Sequence, residues 1–277
     1  MSKVGGKQLG TVQETLLIPL WARAAEARRA TEFGVQPILR DPRAEEIVAG
    51  IDYPFEEFEK HTKITRTVAC VLATIFDAWV RRFLSEHPNG TVVEVGAGLD
   101  TRFERLDNGH VHWFDLDLPD AMEVRRQFFR ESPRRTFLAG SVLEPDWIER
   151  VKATRAPAYL FLAEAVLLYF REEDVRQLFT MIADHFPGSL FAFDSCCVWA
   201  RDNSRNFEAV KLTGAEFRWG IDEIRTVESW DPRFQVLEVD SVLNHFRDRF
   251  PWILRVLTYL FPKLRYLFSV NLLRLGS

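Results

Sequence analysis

Residues 91–102 (T-V-V-E-V-G-A-G-L-D-T-R) constrain this chain of 277 residues more than any other stretch. Val92, Val93 and Val95 are β-branched and apolar on both faces of an extended segment, the composition of a strand covered on both sides. Gly96 and Gly98 then remove the side chains that would hold a ligand away from the backbone. A buried parallel strand running into a glycine turn is a place for a nucleotide, so the other segments are read outward from it.

Upstream the pattern is helical. Residues 11–33 carry Leu16, Leu20, Ala24 and Ala27 at helical spacing, with Pro19 expected to start or break the helix. Asp41-Pro42 opens a second helix to Gly50. Residues 63–86 form a third, whose stripe of Val68, Leu72, Ile75, Phe76, Trp79, Val80 and Phe83 reads as a face packed on a sheet. Residues 1–88 are therefore expected to form an N-terminal helical cap, and 89–277 a core.

Within that core, strands are expected at 111–117, 135–139, 158–163 and 189–194, with helices starting at Pro119 and Glu172. Such alternation predicts an α/β architecture with a parallel, doubly wound sheet and helices on both faces. Segments 234–239 and 267–275 are expected to close it as a pair, and the polar, aromatic stretch at 198–230 to be a substrate-facing insertion.

Charge and cysteine usage exclude several classes. The net charge of −4 comes with no Lys/Arg-rich tract, so no nucleic-acid partner is expected. Cys70, Cys196 and Cys197 lack both metal-ligand spacing and a disulfide framework, which points to reduced thiols and a cytoplasmic protein. No apolar core follows Lys3 and Lys7, and no uncharged apolar run reaches about 18 residues, so neither a signal peptide nor a membrane span is expected. Residues 250–268 come nearest to one, but Arg255, Pro262, Lys263 and Arg265 interrupt them. They read as a helix packed on the core with its basic residues wet; an interfacial membrane helix is the alternative.

Ligands of open α/β sheets bind beyond the carboxyl ends of the strands. That rule selects Gly96, Ala97 and Gly98, then Asp115 and Asp117, Ser141 and Val142, Glu164, and finally Asp194 and Ser195. A dinucleotide fingerprint needs a third glycine where Thr101 stands, which makes an NAD(P)-dependent oxidoreductase the lesser reading. Asp115 and Asp117 lie 19 and 21 residues after Gly96. Either carboxylate could accept from both hydroxyls of a ribose; Asp117 is preferred, leaving Asp115 as a capping or solvated acid. A buried Glu164 without a cation would be costly, which argues for a positively charged ligand beside it unless it caps the following helix.

The pattern Glu94-Val95-Gly96-Ala97-Gly98 resembles that of class I methyltransferases. Four ordered blocks extend the likeness: V-V-E-V-G-A-G-L-D-T-R-F (92–103), W-F-D-L-D-L-P (113–119), S-V-L-E-P-D-W (141–147) and L-A-E-A-V-L-L-Y-F (162–170). Together with E-T-L-L-I-P-L-W-A-R-A (14–24) they are similar to the leucine carboxyl methyltransferase-like superfamily, and within it to the bacterial polyketide-type O-methyltransferases of the tetracenomycin-pathway kind. The resemblance implies a Rossmann-like, mostly parallel seven-stranded sheet. It also implies an S-adenosylmethionine-dependent O-methyltransferase, with S-adenosylhomocysteine (SAH) as product, acting on a carboxyl or hydroxyl of a small polyketide-like acceptor. A non-catalytic SAM- or SAH-binding protein is the alternative.

On this resemblance Gly96, Ala97 and Gly98 line the methionine tail, Asp117 holds the ribose, Ser141 and Val142 flank the adenine, and Glu164 lies at the amino or sulfonium side. Relatives carry an arginine in the preceding helix to pair with the SAM carboxylate. That place falls on Leu72 here, so Arg66, two turns earlier, or Lys7 takes the role. An anionic acceptor needs positioning rather than a nucleophile or metal, and the positioning candidates are Tyr169 and Arg201, with Arg205 and Arg218 as further clamps and Trp199 as a wall. A monomer or a homodimer is expected.

Overall fold

The computed structural model describes residues 4–5, 11–34, 36–56, 58, 63–207, 210–211 and 214–276. The N-terminal layer consists of α1 (Thr11–Phe33), α2 (Pro42–Gly50) and α3 (Lys63–Glu86). A short parallel bridge joins β1 (Val4–Gly5) to β2 (Ile51–Asp52). Next come β3 (Thr91–Val95), α4 (Arg102–Leu106), β4 (His112–Asp117), α5 (Pro119–Phe128) and β5 (Arg135–Ala139). They are followed by α6 (Ile148–Lys152), β6 (Tyr159–Ala163), α7 (Glu172–His185), β7 (Ser189–Cys196) and α8 (Val198–Asp202). The chain closes with β8 (Phe234–Asp240), α9 (Trp252–Leu260) and β9 (Phe268–Leu275).

These strands form one seven-stranded sheet in the order β5-β4-β3-β6-β7-β9-β8. The first five are parallel, and β9 runs antiparallel to both β7 and β8. Strand order reverses between β3 and β6, which opens a crevice beyond their carboxyl ends. Side chains alternate across the sheet. Val92, Trp113, Leu160 and Leu162 pack under α1 and α3, whereas Val93, Phe114 and Phe161 pack under α7. With both faces covered, each fully buried Val, Leu or Phe contributes about 1.5–3 kcal/mol, which explains why the strands are apolar throughout. The doubly wound sheet and its closing strand pair stand as expected.

Two expectations are corrected. Helix α1 runs straight through Pro19. An interior proline costs about 3 kcal/mol; complete or nearly complete burial of Leu17, Leu20, Trp21 and Ala24 outweighs it. Helix α9 does not pack on the core: Trp252, Tyr259, Leu260 and Phe261 are 70%, 73%, 60% and 58% exposed. Helical spacing identifies a stripe, but not whether protein lies against it. Within 198–230, Trp219, Ile224 and Val227 are buried with α7 and β8, while Trp199 is exposed.

Candidate active site

Strand β3 ends in a turn that glycine makes possible. Gly96 and Gly98 have φ of 64° and 44°, the left-handed region that other residues enter with strain. A Cβ at Gly96 would lie 2.4 Å from Val166 Cγ2, and one at Gly98 2.9 Å from Leu16 of α1. The N–H groups of Gly96 and Ala97 donate to Leu116 O at 2.8 and 3.3 Å, tying the turn to β4. At the end of β4, Asp117 Oδ2 accepts from Gly98 N and its Oδ1 from Leu118 N, both at 2.7 Å. Burial pushes this carboxyl above its ordinary range, and the two N–H groups oppose that rise.

Asp115, two residues deeper in the strand, is fully buried. Its carboxylate faces Arg125 Nη2 at 3.0 Å and accepts from Arg135 Nε at 2.7 Å. This corrects its candidacy for the ribose: an acid enclosed by two guanidiniums has no face toward the crevice. Arg125 in turn donates Nη1 to Ala97 O (3.0 Å) and Gly98 O (2.7 Å), and Nη2 to Asp100 O (3.1 Å). The glycine turn is thus held on its carbonyl side by a buried cation from α5, a residue without any local motif to mark it.

Behind the turn lies a network of charge. Arg102, fully buried at the start of α4, donates Nε to Asp77 Oδ1 (2.9 Å), Nη1 to Glu94 Oε1 and Nη2 to Glu164 Oε2, with Asp100 Oδ2 at 3.5 Å. Arg105 grips Asp77 through two nitrogens at 3.0 Å and reaches Asp41 Oδ2 at 3.1 Å. Arg23 of α1 donates to Asp41 Oδ2 (2.9 Å) and to Leu99 O (3.1 Å), and sits 3.5 Å from Asp100. The helical cap is therefore bonded into the floor of the site. Burial alone would raise Asp100, but Arg102, Arg23 and Arg105 outweigh it and hold the carboxyl well below its usual range.

Glu164, expected to lack a cation within the protein, has one in Arg102, and among the described residues it caps no helix. Among the described residues Arg23, Arg102 and Arg105 pair with five carboxyl groups (Asp41, Asp77, Glu94, Asp100 and Glu164), Arg125 adds its field at Glu94 and Asp100, and Arg81 approaches Asp77 only from solvent, at 3.8 Å. Glu94 Oε2 is buried without a hydrogen-bond partner, and burial together with Asp100 pushes this carboxyl up to about 8 against the pull of Arg102, so it holds a proton at neutral pH. Burial keeps Glu164 above its ordinary carboxyl range despite Arg102. A cationic ligand beside them would favour the ionised forms of both carboxyls.

The remaining candidates surround this centre at different distances. Gly140 N donates to Asp117 O at 2.9 Å, placing Ser141 beside it. Ser141 Oγ accepts from Leu143 N (3.2 Å), and Val142 is buried with its carbonyl bonded to Trp147. Leu72 belongs to the core. Arg66 lies with Arg29 and Arg249 around Glu26 at 3.9, 4.0 and 2.6 Å, and its buried Nε has no hydrogen-bond partner. Glu26 follows Arg23 by one turn of α1, so this cluster borders the residue that touches Leu99. Lys7 lies outside the described residues. Arg201 is paired with Asp202 at 2.8 Å.

Asp194 closes the site at the end of β7. Its Oδ1 accepts from Ala165 N at 2.6 Å, the residue after Glu164, which is held at φ 57°. Burial pushes Asp194 up to about 7; the Ala165 N–H opposes this and Glu164 adds to it. The folded protein thus keeps a proton that the unfolded chain releases near pH 4. The resulting stabilisation is fully present below that pH and is lost as pH rises through about 7. The Asp194→Asn protein should escape the loss. Its melting temperature relative to the parent is expected to climb between about pH 4 and pH 7 and then level off; a pH-independent offset in thermal melts would refute this.

A glycine turn at the topological switch point, with an acid at the end of the neighbouring strand, is an arrangement that suits a nucleoside ligand. A family model described as leucine carboxyl methyltransferase matches residues 17–183, more than half of the chain. The chain belongs to this family. It is also 35% identical over 238 residues to the tetracenomycin polyketide synthesis O-methyltransferase TcmP of Streptomyces glaucescens, covering 86% of this chain and 85% of that protein. Two solved structures share the fold. One is from Thermobifida fusca YX (TM-score 0.53, 16% identity, 92% of this chain and 94% of that one). The other is a DUF574-family protein from Streptomyces avermitilis MA-4680 (TM-score 0.55, 12% identity, 92% and 96%).

As a leucine carboxyl methyltransferase family member, the protein is an S-adenosylmethionine-dependent methyltransferase. Its residues fit that cofactor. Asp117 keeps lone pairs beyond those given to Gly98 and Leu118, enough for a diol. A ligand bearing a sulfonium and an ammonium group would favour ionised Glu94 and Glu164, whose carboxyls burial holds above their ordinary range.

Proposed function

We propose that this methyltransferase methylates an oxygen, carboxyl or hydroxyl, of a small polyketide-like acid. The observation that carries the reading is a cavity of about 520 Å³ rimmed by Arg171, Arg201, Arg205 and Arg218 against only Asp202 and Glu216. Arg205 is paired with Glu216 at 2.8 Å and Arg201 with Asp202 at 2.8 Å, whereas Arg218 has no ion pair among the described residues. Its backbone N–H donates to Leu168 O at 2.7 Å, and the neighbouring Phe217 packs edge-on against Tyr169 at 5.8 Å. The cavity wall is therefore joined to the segment that follows β6 and Glu164. O-methylation in polyketide synthesis by the 35%-identical TcmP supports the same acceptor class.

On this reading the chain's residues bind and orient. Gly96, Ala97 and Gly98 line the cofactor's tail, Asp117 accepts from its ribose, Ser141 and Val142 flank its base, and Arg66 meets its carboxylate. Bound S-adenosylmethionine would supply a sulfonium-bound methyl group to an acceptor oxygen that has already lost its proton to solvent, a carboxylate or an ionised phenol, with S-adenosylhomocysteine as the leaving group. Arg218, with Arg201, holds the acceptor's acidic group so that this oxygen lies in line. Burial pushes the Tyr169 phenol up to about 12, so it stays protonated and shapes the wall without acting as a base.

Loss of one charge-assisted bond costs about 1.5–3 kcal/mol, so Arg218→Ala is expected to raise KM for an aromatic polyketide acid roughly 10–100-fold. SAH affinity by calorimetry should stay unchanged, and competitive inhibition by the primary amide of the same acceptor should not differ between parent and variant. An unchanged KM for the acid would sink the proposal.

A further inference from the structure

Strand β9 is antiparallel to both its neighbours. Asp240, the end of β8, pairs with Val270, and Cys196, the end of β7, pairs with Phe268. The connection between β8 and β9 therefore leaves the sheet at the edge that holds the active-site crevice. It is bonded to the cap as well: Arg249 donates to Glu26 Oε1 (2.6 Å) and to Gln36 O (3.3 Å). Outward, this connection presents Trp252, Ile253, Leu257, Tyr259, Leu260 and Phe261, each 40% or more exposed. Soluble monomers rarely present so continuous an apolar face without a use for it.

Charge identifies what covers it. In a chain of net charge −4, residues 245–266 carry one acid, Asp248, and five cations, of which Arg249 is paired with Glu26 while Arg247, Arg255, Lys263 and Arg265 have no ion pair among the described residues. Arg247 and Arg255 line a groove of about 490 Å³ with Trp252, Val256 and Tyr259. A second copy seated here by a two-fold axis would oppose these cations with their equals, a costly arrangement. A lipid surface suits both halves of the face: indole, phenol and leucine side chains enter the acyl boundary while the guanidiniums meet phosphate headgroups. No helix among the described residues is long and apolar enough to cross a membrane. We propose that this face docks reversibly on an anionic phospholipid surface, with the mouth of the active site beside the bilayer. The proposal does not depend on the identity of the methyl acceptor.

The full chain should co-sediment with vesicles of phosphatidylcholine containing about one third phosphatidylglycerol and far less with phosphatidylcholine alone, and salt should weaken the binding. At roughly a factor of five per neutralised arginine, the double substitution Arg247→Gln/Arg255→Gln is expected to lower partition about 30-fold. Trp252→Ser/Leu260→Ser should abolish it. All these side chains are exposed, so the variants should keep the parent's melting temperature and SAH affinity. Absence of partition onto the anionic vesicles would overturn the proposal, as would full binding by the arginine variant. Concentration-dependent self-association that Leu260→Ser abolishes, without vesicle binding, would give the face to a second copy instead.

Discussion

Replacing Arg102 by leucine is expected to leave the protein unable to fold. The side chain is fully buried and serves Asp77, Glu94 and Glu164 directly, with Asp100 at 3.5 Å. Removing one partner of a buried ion pair costs about 3–5 kcal/mol, because the charge left behind cannot be resolvated. Here one cation answers several acids, and a domain's whole stability is about 5–15 kcal/mol. Soluble expression and thermal melts measure the effect. Arg102→Lys should recover only part of it, since an ammonium cannot reproduce the planar fork that reaches three carboxylates. Adding Glu94→Gln to Arg102→Leu should restore stability relative to Arg102→Leu alone. An Arg102→Leu protein melting close to the parent would contradict the view that this network ties α1, α3, α4 and β6 together.

The second large effect is on ligand binding. We propose that Asp117→Ala lowers SAH affinity roughly 10–100-fold by calorimetry, because the ribose loses a charged acceptor worth about 1.5–3 kcal/mol. The Leu118 N–H that now donates to the carboxylate is exposed and then free to meet water, while the Gly98 N–H can reach water only through the space the shortened side chain leaves. Melting temperature should accordingly fall less than affinity does. Asp117→Asn, which keeps one acceptor oxygen, should fall between parent and alanine variant. An alanine variant within about twofold of the parent would remove Asp117 from the cofactor site.

How far the site was legible in the sequence varies with the reach of each interaction. Gly96, Gly98 and Asp117 stood out because a strand, its turn and the acid on the next strand are separated by short, regular distances. Asp115 could not be told from Asp117 by spacing, since both lie on one face of β4; only the guanidiniums of Arg125 and Arg135 distinguish them. Arg102 lay inside the most informative stretch of the chain and still showed no role, because its partners come from α3, β3 and the end of β6. One signal was available: Asp77 interrupts the apolar stripe of α3 between Phe76 and Val80, and an acid on a buried face requires a cation. Arg125 had no such mark.

The sequence by itself determined the order of strands and helices, the doubly wound sheet, the glycine turn and the family. These depend on periodicity, turn chemistry and motif spacing, which act within a few residues of each other along the chain. Only the tertiary structure decided which charges neutralise one another, as when Thr101 and Arg105 meet Asp41 more than fifty residues away. It also decided that the apolar side of α9 faces outward. Coulombic pairing and burial depend on distance in space, and a linear pattern records neither.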